Sequence, residues 1–278
     1  LHSDTHSFPT RRSSDLDGSP IVTPSQDIVL GIAWMSKARD NAVGEWKPEW
    51  TDKDGNILKP GKIFPTVAQV ISAHAAGELD IHARIKLNTD QGVIDTTTGR
   101  VLLAEMLPEE ISVLDVNQQH DQSSIGEVIA ACYARHGHHK TVELLDALKR
   151  IGFRYATLSG MSVAMVDMVV PPEKVDLIER TSSEVDQFNE MYQNGLITQR
   201  ERSHKVIDAW TTTTERVSAA MVDAMASNEQ GFSGIYMMYE SKSRGSKSQI
   251  RQLAAMRGLM AKPSGDIIES PITSNFRE

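Results

Sequence analysis

The stretch from Ser241 to Gly265, SKSRGSKSQIRQLAAMRGLMAKPSG, carries six basic side chains and no acidic one, in a chain whose formal net charge is -8. Those groups are Lys242, Arg244, Lys247, Arg251, Arg257 and Lys262. A solvated charged face normally mixes signs. An acid-free run of 25 residues in so acidic a chain therefore reads as a contact for phosphate or nucleic acid. Arginine in a Gly/Ser-rich loop suits phosphate because its planar fork donates two parallel hydrogen bonds. A short helix is predicted from about Ser248, with Lys247 and Arg251 one turn apart on a shared face and Ile250 and Leu253 pointing elsewhere. Arg257-Gly258 bends or ends it, and KPSGD is a turn. The spacing is not that of a P-loop, since G-x-x-x-x-G-K-[ST] is absent.

Other candidate chemistry is sparse. HGHH at 136–139 offers imidazoles, but no paired Cys or carboxylate pattern accompanies it, so it reads as a solvated polar turn rather than a metal site. The single cysteine, Cys132, excludes an internal disulfide framework and fits a reducing, cytoplasmic compartment. No run approaches the ~18 apolar residues of a membrane span. Aromatics are only 5 % of the chain, so the core is expected to be aliphatic and Met-rich.

The elements that must position the basic groups follow from periodicity. Residues 1–16 are set aside: HSFPTRRSSDL resembles a translated sequencing-adapter oligonucleotide, and the segment is expected to be disordered, with the natural N-terminus missing. Residues 17–115 read as short strands and loops. Within them, Asp54-Gly55 is a hairpin signal and Val67, Val70, Ile71 and His74 form a helical stripe stopped by Gly77. DIHARIKL alternates Ile81, Ala83, Ile85 and Leu87 against His82, Arg84 and Lys86, as a half-buried strand does, and TTTGRVLLAEMLP runs from strand into a short helix. Residues 116–171 hold two helices, the first ending near Gly137, the second capped by Thr141 and closed by Gly152. Residues 172–227 carry two heptad-patterned arms. Ile178, Val185, Tyr192, Thr181 and Phe188 lie on one, and Ile207, Trp210, Thr214, Val217, Met221 and Ala224 on the other. Asn194-Gly195 joins them and Thr198 with Glu201 forms a capping box, so a modest antiparallel coiled coil of about 30–45 Å is predicted, its polar tip free for a partner. Residues 228–278 form the basic loop-helix-loop.

The C-terminal run SRGSKSQIRQLAAMRGLMAKPSGDIIESPITSNFRE, together with PSQDIVLG, GELDIHARIKL, TTTGRVLLAEMLP and GLITQRERSHKVIDAWTTTTERV, closely resembles the beta-prime family, the largest catalytic subunits of bacterial DNA-directed RNA polymerase. The likeness runs in order from Asp17 to Glu278 and implies an internal fragment of a multidomain subunit, α+β and mostly helical. It implies that the paired helices from Val175 to Val217 are the rim of the secondary channel, where regulators dock near Asn194, Gly195, Lys205 and Asp208. It also implies that Ser241–Lys262 leads into the F-loop beside the active centre, with Arg244 meeting the nucleotide triphosphate and Arg251 and Arg257 as secondary contacts. The other core subunits, sigma factor, DNA, RNA and nucleoside triphosphates are the implied partners.

The resemblance has departures. The family reads S-G-A-R-G where this chain has SKSRG, so Lys242 replaces a glycine. At the alarmone pockets Asp146, Lys205 and Asp208 match, but His139, Arg150 and His204 do not, and alarmone binding is not assigned. The motif N-A-D-F-D-G-D, whose three aspartates hold catalytic Mg2+, is absent. No catalytic residue or metal ligand is therefore expected on this chain, and the ion belongs to residues outside it. Two alternatives stand beside this reading: a stand-alone helical-hairpin interaction module with a basic phosphate-binding tail, and an isolated segment whose unpaired strand edges prevent proper folding.

Overall fold

The computed structural model describes residues 23–48, 50–51, 57–58 and 61–278. Residues 1–16 and the Asp54-Gly55 turn signal lie outside them. The described residues divide into two units: those up to Met161 together with Glu240–Arg244, and those from Ser162 to Tyr239 together with Gly245–Glu278.

In the first unit the apolar run after Gln26 is not a strand but helix α1 (Asp27–Ser36), and this corrects the strand-and-loop expectation. A short run that is apolar on every side has no period to betray its type. Here Val29, Ile32 and Met35 are fully buried, because α1 lies within the core against helix α4 (Gln122–Ser159). Helix α4 has a break at Gly137 (φ 74), so the two-helix reading holds, but two of its boundaries do not. Thr141 donates its hydroxyl to the Gly137 carbonyl at 2.9 Å instead of capping an N-terminus. Gly152 lies inside the helix, which runs on to a left-handed Gly160.

Short strands β1 (Trp50–Thr51) and β2 (Ile57–Leu58) pair antiparallel on either side of the hairpin signal. Strand β3 (Ile63–Phe64) lies parallel to β4 (Arg84–Thr89), and β4 pairs antiparallel with β5 (Gly92–Thr97) in the register Arg84↔Thr97. Helix α2 (Val67–Ala75) packs Val70 onto the buried face of this sheet, where Ala83, Ile85 and Leu87 alternate inward as expected. His82 departs from that pattern. It is 3 % exposed, edge-on to Trp34 and bonded through Nδ1 to the Lys37 carbonyl, so burial holds its pKa below the ordinary value. Thr97 caps helix α3 (Thr98–Met106), whose N-terminal glycine, Gly99, sits against the Met35 carbonyl.

The second unit is built on helices α5 (Lys174–Gln193) and α6 (Gln199–Ser227), about 30 and 44 Å long at 1.5 Å per residue. They run antiparallel: Thr181 and Thr213 share a 2.6 Å hydroxyl hydrogen bond, and Arg202 reaches Asn189 near the tip. Val206, not Ile207, is the buried residue of that turn. Past Thr214 the same face of α6 presents Val217, Met221 and Met225 to α7 (Gly234–Glu240), α8 (Lys247–Ile250) and the wider π-type turn Arg251–Ala255. The core is Met-rich as the composition requires: Met221 and Met256 are fully buried.

Candidate functional site

Arg244 closes the excursion Glu240–Arg244, which belongs to the first unit. The Ser241 carbonyl accepts the Gln122 amide at the start of α4, and Glu240 forms an ion pair with the buried Lys37. Lys242 lies 2.6 Å from Asp121 and donates to Ser123, so the acid-free run borrows its counter-charge from a helix N-terminus far away in sequence. Burial pushes the Asp121 carboxyl up, but hydrogen bonds from Lys242 and the Ser124 amide outweigh it and leave the carboxyl below its ordinary value. Arg244 is exposed and donates to the side-chain oxygen of Gln26 at 2.9 Å. A neutral amide fixes the direction of a guanidinium without cancelling its charge.

Two backbone outliers flank this arginine. Lys242 has φ 58, on the left-handed side, which costs a non-glycine residue roughly 1–2 kcal/mol, and Gln26, at φ 51 and ψ -123, lies outside the left-handed helical region, in sparsely populated space that costs roughly 1–3 kcal/mol. Strain of this kind persists where the surrounding structure over-determines it, and it collects at functional sites. The Lys242 angle also gives a physical reason for the glycine in the resembling sequences. Lys242→Ala is expected to lose the Asp121 pair and keep the strain, and Lys242→Gly to lose the pair and relieve the strain. The glycine variant should therefore be more stable than the alanine variant by about 1 kcal/mol, read as a difference in urea midpoints. Equal midpoints would show that the loop relaxes out of the left-handed region.

Arg251 and Arg257 belong to the second unit. The Nε of Arg251 is buried without a hydrogen-bond partner among the described residues. Arg257 stacks over Phe276, 4.8 Å from the ring centre, and its amide donates to the Ser274 carbonyl. Beyond it the chain doubles back through the pairs Gly258↔Ile272 and Ala261↔Ile267. Glu269 ties this strap to α6 by accepting from Ser203 at 2.6 Å and Arg202 at 2.8 Å, bonds that also lower its pKa.

At the hairpin tip Asn194 and Gly195 are exposed, Gly195 with φ 72, and the linker runs five residues to Thr198 rather than two. The Leu196 amide bonds to the Met191 carbonyl, which closes α5. Thr198 and Glu201 form the expected capping box. Lys205 lies over the Phe188 ring at 5.3 Å and, with Asp208, Arg180 and Glu184, lines a groove along the two arms. His136, His138 and His139 are exposed around the helix break, and among the described residues no group of three His, Cys, Asp or Glu could hold a metal ion. No helix among the described residues is long and apolar enough to cross a membrane.

Sequence reasoning missed the residues that hold the loop. Gln26 is 218 positions from Arg244, and Asp121 is equally remote from any pattern around Lys242. The signal available was indirect: a lysine standing where a left-handed residue is required.

The amino-acid sequence that carries the arginine-bearing loop and the helical hairpin matches one class of protein. The family described as RNA polymerase Rpb1, domain 3, matches residues 13–168, and RNA polymerase Rpb1, domain 4, matches residues 197–277. The chain belongs to the RNA polymerase Rpb1 family. It is similar, at 42 % identity over 289 aligned residues, to the DNA-directed RNA polymerase subunit beta' of Shewanella sp. (strain ANA-3) and to that of Shewanella denitrificans. The same protein of Shewanella oneidensis is also 42 % identical, the alignment covering 95 % of this chain and 20 % of the relative. The chain thus spans about a fifth of the length of the curated relatives it matches.

Proposed function

We propose that this chain works as part of a bacterial DNA-directed RNA polymerase in the cytoplasm, where Arg244 faces the phosphates of the incoming nucleoside triphosphate. The observation that carries the reading is the state of that guanidinium: exposed, aimed by the neutral Gln26 amide, and mounted on a loop whose one neighbouring lysine already has its carboxylate. A triphosphate is a dense polyanion, and a charge left uncompensated in a fixed direction lowers the cost of bringing it in. Arg251, with its unpartnered Nε, and Arg257, held on Phe276, are further phosphate contacts.

The α5–α6 hairpin forms the rim of the channel through which nucleotides enter. Its tip at Asn194 and Gly195 and the groove at Lys205 and Asp208 are the docking positions for regulators. Other core subunits, sigma factor, DNA and RNA are reached through the whole complex. Magnesium supplies the charge neutralisation of nucleotidyl transfer. The described residues do not fit it, since they bring no three carboxylates or imidazoles together, and its ligands belong to aspartates elsewhere in the enzyme.

Arg244→Ala in the assembled polymerase is expected to raise the apparent nucleotide KM, or lower kcat, by roughly 10–100-fold, the worth of a charged hydrogen bond, with DNA binding unchanged. Unaltered nucleotide kinetics would remove Arg244 from the site.

A further inference from the structure

A pocket on the first unit, with Arg244 not in its lining, has the composition of an oxyanion site. Trp46, Arg84, Lys86, Thr96, Arg100 and Gln119 line it. Two of its cations are already matched. Arg84 lies 2.5 Å from Asp40 and 3.6 Å from Glu45, and Lys86 lies 3.2 Å from Asp95 with its ammonium 4.2 Å above the Trp46 ring. Arg100 is different. Its Nε donates to the Ser36 carbonyl at 3.0 Å, which fixes the plane of the guanidinium, yet it has no carboxylate partner among the described residues. Burial first, and the charge of Arg84 second, hold its pKa below the ordinary value, so the structure keeps a cation where a cation is unfavourable.

One further group points the same way. The Trp46 indole Nε1 is buried with no hydrogen-bond partner among the described residues. Buried polar atoms are almost always paired, and each exception asks for an explanation. An indole N–H can only donate, and a guanidinium donates twice in one plane. The pocket lining therefore holds donors of two kinds and one positive charge with no carboxylate partner among the described residues. That charge balances a carboxylate, whereas a phosphate dianion would bury an excess negative charge.

We propose that this pocket receives the carboxylate of an Asp or Glu side chain from another segment of the polymerase assembly, bound by Arg100 with Trp46 as a supporting donor. The inference takes from the proposed function only that the chain sits in a larger complex, and it says nothing of nucleotide binding.

The test uses the assembled polymerase carrying R100K, treated with a carbodiimide that condenses an amine with a touching carboxylate and releases the urea by-product. Peptide mapping by mass spectrometry is expected to find position 100 joined to an Asp or Glu outside this chain's residues 1–278. No product at position 100, or a product confined to Asp40, Glu45, Asp95 or another carboxylate of this chain, overturns the proposal. A second measurement needs no variant. In the unmodified complex, hydrogen exchange of the β4–β5 amides is expected to be unchanged by inorganic phosphate, because the pocket is already filled. Added protection on that hairpin would mean a site open to a free anion, and the carboxylate proposal fails. The Arg244 reading is tested by nucleotide kinetics of Arg244→Ala and this one by the cross-link at position 100, so the two ideas fail separately.

Discussion

Gly31→Ala is expected to destabilise the first unit by at least about 3 kcal/mol, the upper end of what overpacking costs, and Gly152→Ala by a comparable amount from the opposite helix. A methyl at position 31 would lie 2.0 Å from the Gly152 carbonyl oxygen and 2.7 Å from the Ala156 nitrogen. A methyl at position 152 would lie 2.6 Å from the Ile28 Cα. All of these obstacles are backbone, so no side-chain rotation relieves them and helices α1 and α4 must separate. Separation then exposes Val29, Ile32 and Leu144, which are fully buried, and loses contacts well beyond the two glycines. Because both substitutions force the same separation, their effects should not add: the double variant is expected to be little worse than the worse single one. Urea unfolding of the three variants checks this. Midpoints close to that of the parent chain would show that the two helices do not approach as closely as described.

That contact was not legible beforehand, and the reason is instructive. Gly152 follows a helical stripe and reads as a terminator, because a glycine's two uses, ending a helix and admitting a neighbouring backbone, look alike in one dimension. Residues 28–35, IVLGIAWM, are apolar throughout and carry no period, so α1 could not be told from a buried strand. Where one face is solvated the period survives: the alternation over Ala83, Ile85 and Leu87 located β4, and the seven-residue spacing with the Thr198/Glu201 box located the hairpin. The candidate site divides the same way. The charge pattern marked the whole run of six cations, and the family resemblance, not the charge, picked out Arg244, Arg251 and Arg257; their settings differ because of partners remote in sequence, such as Gln26, and no local pattern encodes those. The Arg100 pocket was equally silent, since GRVL reads only as the start of a helix.

Met256→Ala is expected to cost the second unit about 2–5 kcal/mol, the range for emptying a fully buried large side chain. Met256 is 0 % exposed, and its sulfur accepts from the Thr214 hydroxyl of α6 at 3.8 Å. It follows directly on the turn Arg251–Ala255 and adopts an extended backbone, φ -153, at the point where the chain leaves the helix for Arg257. The segment is gripped from the other side as well: Asn275 donates to the Ala254 carbonyl at 3.0 Å, and Phe276 lies under Arg257. Removing the thioether leaves Arg257 attached to a strand with one wall missing, so loss of stability and loss of arginine placement should appear together. Met256→Leu separates the causes. It keeps the volume and is expected to cost less than about 1.5 kcal/mol. On the proposed reading of Arg257 as a phosphate contact, the leucine variant in assembled enzyme should retain nucleotide kinetics while the alanine variant raises the apparent KM, even at temperatures where it stays folded. Equal urea midpoints for the two variants would mean that the cavity closes by collapse, and the link from this methionine to Arg257 would then have no mechanical basis.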